Sequence, residues 1–194
     1  MVRAPDGELW LGADSGLYRL SALDFPDSRM PEERLATVGI DGTLWFGANN
    51  GVWRYRDDDF VNFNRDHGLP SDVVGGMHTL GDGRLLAVTD GGDAGAVIFN
   101  GERFEPWEPG AERLDGVDCH DVTEDPHGHF WVATDEGVFR TDGTSWIMID
   151  ERDGLPENHA RSIHATADGD VWIGTQGGVT RLGTKSTPVQ SSMK

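Results

Sequence analysis

Apolar residues in this chain come in short runs, alternating with polar positions and broken repeatedly by Gly, Asp and Asn. No segment sustains the 3.6-residue apolar spacing of an amphipathic helix, so helix is expected to be minor. One apolar run recurs together with its flanks. Asp6-Gly7-Glu8-Leu9-Trp10-Leu11-Gly12 returns as Asp41-Gly42-Thr43-Leu44-Trp45-Phe46-Gly47 and as Asp168-Gly169-Asp170-Val171-Trp172-Ile173-Gly174. Looser copies are Asp82-Gly83-Arg84-Leu85-Leu86-Ala87-Val88 and His127-Gly128-His129-Phe130-Trp131-Val132-Ala133. The copies begin at 6, 41, 82, 127 and 168, in steps of 35, 41, 45 and 41 residues. Steps of this length mark a repeat architecture.

The periodicity extends past the Trp. A Gly follows six residues later and an Arg three residues after that: Gly16 and Arg19, Gly51 and Arg54, Gly137 and Arg140, Gly178 and Arg181. Six residues past the Arg stands an aromatic in three copies, Phe25, Phe60 and Trp146, with Thr187 in the last. An Asp-Gly pair reads as a two-residue hairpin, and the β-branched and aromatic runs around it read as strands. Each unit therefore predicts four short strands, placed in the second copy near 35–40, 44–47, 52–55 and 60–64.

Four antiparallel strands per repeat of this length is the pattern of a β-propeller blade. The expected fold is all-β, with blades near 1–30, 35–65, 73–107, 117–150 and 161–183 and a polar, disordered tail over 184–194. Both end repeats are short of a full strand set. The expectation is about four full blades plus a partial one, in an incomplete or five-bladed ring. A Trp repeated at one position fills the space between neighbouring blades, which is the structural role expected of Trp10, Trp45, Trp131 and Trp172. The repeated Arg is expected to pair or stack on the blade surface.

Charge narrows the partners. The 194 residues carry 34 acidic against 16 basic side chains, a net charge of −18, which repels nucleic acid and anionic lipid. Seven Trp and eight Phe argue against disorder. No run approaches the roughly 20 apolar residues of a membrane span, and the start MVRAPDGELW has no apolar h-region, so neither a membrane contact nor a signal peptide is read. The single Cys119 excludes an internal disulfide framework and a Cys-based zinc cluster. Both lysines, Lys185 and Lys194, lie in the tail, which is compositionally foreign to the Arg-only repeats.

His67-Gly68-Leu69-Pro70-Ser71-Asp72-Val73 and Asp153-Gly154-Leu155-Pro156-Glu157-Asn158-His159 each precede a predicted first strand. With the Asp-Gly pairs, the Val171-Trp172-Ile173-Gly174-Thr175 run and the Gly-apolar-x-Arg segments, they make the chain resemble the two-component regulator propeller repeat. That resemblance implies a periplasmic or extracellular sensor module, non-catalytic and linked to polysaccharide sensing, in signalling proteins such as hybrid two-component receptors. The third copy departs from the pattern, with Leu86 for Trp and an expanded turn Asp90-Gly91-Gly92-Asp93-Ala94-Gly95.

In such a topology the loops from second to third strand and from fourth to next first strand share one face, where binding residues are expected. Candidate ligand contacts there are Asn49, Asn50, Arg65, His67, Asp90, Asp93, Arg113, Asp135, Glu136, His159 and Gln176. The set suits hydrogen bonding to sugar hydroxyls, so a small molecule or oligosaccharide is the expected ligand, with self-association or further blades as the other partner. Asp90 and Asp93 are oxygen donors of the kind Ca²⁺ takes, but the spacing is no EF-hand, and no metal or cofactor is assigned. Asp57, Asp58 and Asp59 belong to a solvated turn on the opposite face. His78 and His164 stand four residues before their Asp-Gly pairs, and His120 stands three residues earlier in its own copy. They open the alternative of a propeller lyase similar to streptogramin lyase. Equivalent placement is also what repetition alone produces, and no catalytic residue is assigned.

Overall fold

The computed structural model describes residues 2–3, 7, 9–13, 16–19, 24–27, 33–39, 41–57, 59–91, 93–183 and 186–191. Side chains are described at 3, 7, 9–10, 37–39, 41–57, 59–91 and 93–183. The chain forms five four-stranded sheets, each antiparallel and in chain order. The first is β1 (Val2–Arg3), β2 (Leu9–Ala13), β3 (Gly16–Arg19) and β4 (Asp24–Asp27). The second is β5 (Glu33–Val38), β6 (Leu44–Ala48), β7 (Gly51–Arg56) and β8 (Asp59–Phe63). The third is β9 (Val73–Thr79), β10 (Leu85–Asp90), β11 (Ala96–Phe99) and β12 (Phe104–Pro106). The fourth is β13 (Cys119–Glu124), β14 (Phe130–Thr134), β15 (Gly137–Thr141) and β16 (Trp146–Ile149). The fifth is β17 (Ala160–Ala165), β18 (Val171–Thr175), β19 (Gly178–Gly183) and β20 (Ser186–Ser191).

These sheets are propeller blades. The first strands β1, β5, β9, β13 and β17 pack side by side in that order. Among the described residues the first and fifth sheets make no comparable contact, and the array does not close into a ring. β20 departs from the expected disordered tail. It pairs with β19, so the backbone donors and acceptors on the outer edge of β19 are met by strand pairing despite the polar sequence.

In the second to fifth sheets the turns between first and second strands are three-residue loops, which corrects the two-residue reading there. Gly42, Gly83, Gly128 and Gly169 donate their N–H to the carbonyls of Gly39, Leu80, Asp125 and Thr166 at 2.9–3.0 Å. The residue opening each loop donates to the residue just past the Gly, as in Asp125 N–H to His129 O at 2.9 Å. The glycines have φ of 83, 90, 79 and 90°, whereas Asp57 is the only non-Gly residue with positive φ among those described. A two-residue type I′ turn needs positive φ at both central positions, so the Asp-Gly pair instead ends a type I turn with a left-handed Gly.

The core is a series of apolar slabs between successive sheets rather than one centre. Trp10 packs on Phe46 and Tyr55 of the second sheet, with ring centroids 6.1 and 4.9 Å apart. Trp45 meets Phe99 of the third sheet edge-on at 5.0 Å. Leu86 takes this place in the third sheet, in a cluster with Val122 and Val132 of the fourth. Trp131 is buried with Ile163 and Ile173 of the fifth. Trp172 corrects the expectation for its class. It is 43% exposed, because each Trp is covered by the following sheet and among the described residues none follows the fifth. The Arg opposite each Trp lies in register with it, as in Trp131 with Arg140 and Trp172 with Arg181. The guanidiniums of Arg140 and Arg181 lie over those rings at 5.3 and 5.7 Å.

Both Gly-Leu-Pro segments build the same connection. A 3-10 turn (Arg65–His67, Glu151–Asp153) is capped by the side chain of Asn64 or Asp150 and ended by Gly68 or Gly154. Leu69 and Leu155 then plug into the core. Asp72 Oδ1 accepts from Arg65 N–H at 2.8 Å, and Asn158 Oδ1 accepts from Glu151 N–H at 2.9 Å in the equivalent place. The connection from β12 to β13 lacks this motif and is held by buried Trp107 and Leu114.

Candidate functional site: a histidine–carboxylate cluster on the loop face

Four sheets carry a register break near the start of the first strand. In β13 the break falls between Cys119 and Asp121, leaving His120 as the bulged residue. A bulge re-aims the side chain it carries. His120 Nε2 lies 2.6 Å from Asp135 Oδ1, on the turn between β14 and β15. His159, from the connection into β17, places its Nε2 3.0 Å from the same oxygen. The two imidazoles stack with centroids 5.0 Å apart and planes 8° from parallel. Behind His120, Asp90 at the end of β10 comes within 3.8 Å of Nδ1. One strand bulge, one tight turn, one strand end and one connection from three consecutive sheets thus converge.

The surroundings are strongly negative. Burial pushes the Cys119 thiol up, with the carboxylates of Asp118, Asp90 and Asp135 adding to it, to about 12. A thiol so shifted is no nucleophile. Asp118 also ties the expanded turn to this place by accepting the Gly91 N–H at 2.8 Å. Among the described residues no hydroxyl or thiol hydrogen-bonds to either imidazole of the cluster, so an activated nucleophile is not assembled. The arrangement offers stacked imidazoles and carboxylates to a polar ligand or a cation.

Of the residues expected on this face, Asp90, Asp135 and His159 come together here. Arg65 pairs with Asp93 at 2.6 Å, and both ends are exposed. His67 closes the cap of its 3-10 turn, with Nδ1 2.9 Å from Asn64 Oδ1. Asn50 Oδ1 accepts from the Trp53 indole N–H at 3.0 Å, beside Asn49 in the same turn. Arg113 lies over the Phe139 ring at 4.2 Å and so belongs to the packing between sheets. Glu136 is exposed beside Asp135, and the Gln176 N–H donates to Glu157 at 2.7 Å. His120, which no site assignment from sequence included, sits eight residues before the Gly of its turn, as do Arg34, Gly75 and Arg161 in their own copies. That shared spacing was the available signal. His78 lies toward the opposite end of its strand, 4.0 Å from Glu124, with burial holding its imidazole below the usual range.

Residues 154–177 match the family model described as two component regulator propeller. Over this stretch the chain is similar to the two-component regulator propeller repeat. The repeat takes in one Gly-Leu-Pro connection, His159 and the Trp172 run. Among solved structures, the fold is shared by the extracellular domain of a hybrid two component system from B. thetaiotaomicron, at 18% identity and TM-score 0.73 over 93% of this chain and 26% of that one. A one component system extracellular domain from the same organism matches at 16% identity and TM-score 0.76, over 100% and 30%. Virginiamycin B lyase from Staphylococcus aureus matches at 16% identity and TM-score 0.71, over 100% and 69%. The chain spans between a quarter and a third of the length of these two extracellular-domain chains. No curated protein sequence matches it.

Proposed function

We propose that this chain is a non-catalytic, ligand-binding segment of a sensory β-propeller in a two-component-type signalling protein, acting in the periplasm or outside the cell. The observation that carries the reading is the convergence of His120, Asp135 and His159 on the loop face without a paired nucleophile. The propeller repeat and the likeness to extracellular sensor domains support it. The ligand class is a polyhydroxylated small molecule or oligosaccharide, whose hydroxyls both donate to carboxylates and accept from imidazole N–H groups. Stacked imidazole faces also suit the apolar face of a sugar ring. Further blades or a second copy would cover the exposed Trp172 side of the fifth sheet.

The test is a glycan and metabolite panel read by thermal shift and then calorimetry, with Asp135→Asn as the control. A ligand that stabilises the wild-type chain and not the variant supports the reading. Binding that is indifferent to Asp135→Asn moves the site elsewhere, and no binder in the panel favours an interaction module. A second reading, a lyase, draws on the fold shared with virginiamycin B lyase and on His120 held between two carboxylates. Incubation with quinupristin followed by chromatographic separation and tandem mass analysis separates the two. Eliminative ring opening leaves the mass unchanged but alters retention and fragmentation, and such a product formed at a rate lost in His120→Ala would establish catalysis.

A further inference from the structure

We propose that His120, Asp135 and His159 form a binding site for a borderline divalent transition ion, represented by Zn²⁺. One ligand atom from each residue lies within 4.8 Å of the others. Both Nε2 atoms already approach a single carboxylate oxygen, at 2.6 and 3.0 Å. Bonds of about 2.0–2.1 Å at angles between octahedral and tetrahedral separate such donors by about 2.8–3.4 Å, so the carboxylate needs to withdraw by less than about 1 Å to admit an ion.

A second observation points the same way. His159 Nε2 is shielded from solvent and makes no hydrogen bond, although Asp135 Oδ1 lies 3.0 Å away. A buried polar nitrogen left so is costly, and an ion held between it and the carboxylate satisfies it. Asp90, 3.8 Å from His120 Nδ1, stands where a carboxylate orients a ligating imidazole and strengthens it as a donor.

The donor set selects the ion. Two imidazoles and one carboxylate suit Zn²⁺, Ni²⁺, Cu²⁺ or Fe²⁺, whereas Mg²⁺ and Ca²⁺ take oxygen ligands. Three protein ligands leave at least one position open for water or a ligand oxygen. The supports are a strand bulge, a tight turn and a capped connection, each fixed by backbone hydrogen bonds before any ion arrives. Metal binding here does not depend on the sensory reading, since the ion needs no second ligand.

The experiment uses the whole chain, freed of any affinity tag and stripped with chelator, titrated with ZnCl₂ by calorimetry and with Co²⁺ by visible absorption. One Zn²⁺ per chain is expected, along with a Co²⁺ spectrum of nitrogen and oxygen ligation. His120→Gln, Asp135→Asn and His159→Gln each weaken binding by more than about tenfold, and Asp90→Asn by about tenfold through loss of orientation. Circular dichroism of each metal-free variant separates lost ligation from lost folding. No binding by wild type overturns the proposal, as does one-to-one binding that survives all three ligand substitutions or is abolished instead by His127→Gln with His129→Gln. Mg²⁺ or Ca²⁺ displacing Zn²⁺ at equal concentration also overturns the stated selectivity. Sugar binding by the metal-free chain leaves the sensory reading intact when this proposal fails, so the two failures are distinguishable.

Discussion

Asp125 opens the turn between β13 and β14, and replacing it with Ala tests how these turns hold a blade. Its carboxylate accepts from the Trp131 indole N–H at 2.9 Å and from the backbone N–H groups of His127 and His129 at 2.9 and 3.0 Å. Asp125 and Trp131 are each 7% exposed, whereas His127 is exposed and His129 half-buried. In Asp125→Ala the indole N–H is stranded where water hardly reaches, costing about 1–3 kcal/mol. The two backbone donors regain water and lose about 1 kcal/mol between them, for a total near 2–4 kcal/mol. Urea unfolding followed by Trp fluorescence and far-ultraviolet dichroism measures it.

A double-mutant cycle with Trp131→Phe isolates the indole bond, because Phe keeps the ring and deletes the donor. Asp125→Ala should then cost at least about 1 kcal/mol less in the Phe background. Acid supplies an independent check. Burial opposes ionisation of Asp125, but bonds from Trp131, His129 and His127 outweigh it and hold the carboxyl below its usual value. A depressed folded value means the contribution is complete above the unfolded pKa near 3.9 and fades as pH falls through the folded one. The gap between wild type and Asp125→Ala should therefore narrow below about pH 4. A loss under about 0.5 kcal/mol at neutral pH, or no coupling to Trp131, refutes the reasoning.

Three further outcomes follow from the same geometry. Trp45→Ala should destabilise by about 3–5 kcal/mol, whereas Trp172→Ala, with its ring 43% exposed, should cost less than about 1.5 kcal/mol, both read by urea melts. Gly75→Ala places a Cβ 1.8 Å from the Cys119 carbonyl oxygen, so it must part β9 from β13 and should cost at least about 2 kcal/mol while weakening Zn²⁺ binding. Cys119, with its thiol near 12 and fully buried, should react with a disulfide reagent at pH 8 at least about a hundredfold slower in the native chain than in urea; comparable rates would contradict its burial.

Much of the blade plan was legible because it is written in local chemistry. Strand alternation, the Gly of each turn and the Gly-Leu-Pro connections act within a few residues of themselves. The turn type escaped because an Asp-Gly pair serves either a two-residue or a three-residue loop, and the choice belongs to strand register. Asp90, Asp135 and His159 fell on the expected face because loop topology follows from strand order. Arg113 and His67 fell there too, yet packing turned one onto Phe139 and capping turned the other onto Asn64. His120 was visible only as a position eight residues before a turn Gly, shared with Gly75 and Arg161.

Sequence alone thus determined the repeat, the four-strand unit and the face on which loops gather, since each rests on short-range periodicity and turn preference. Tertiary structure decided which sheet covers which Trp, that β20 completes the fifth sheet and that a bulge swings His120 toward Asp135 and His159. The first and last of those outcomes depend on contacts between residues about 15 to 55 positions apart, whose meeting is fixed by the packing of one sheet on the next and leaves no local pattern to read.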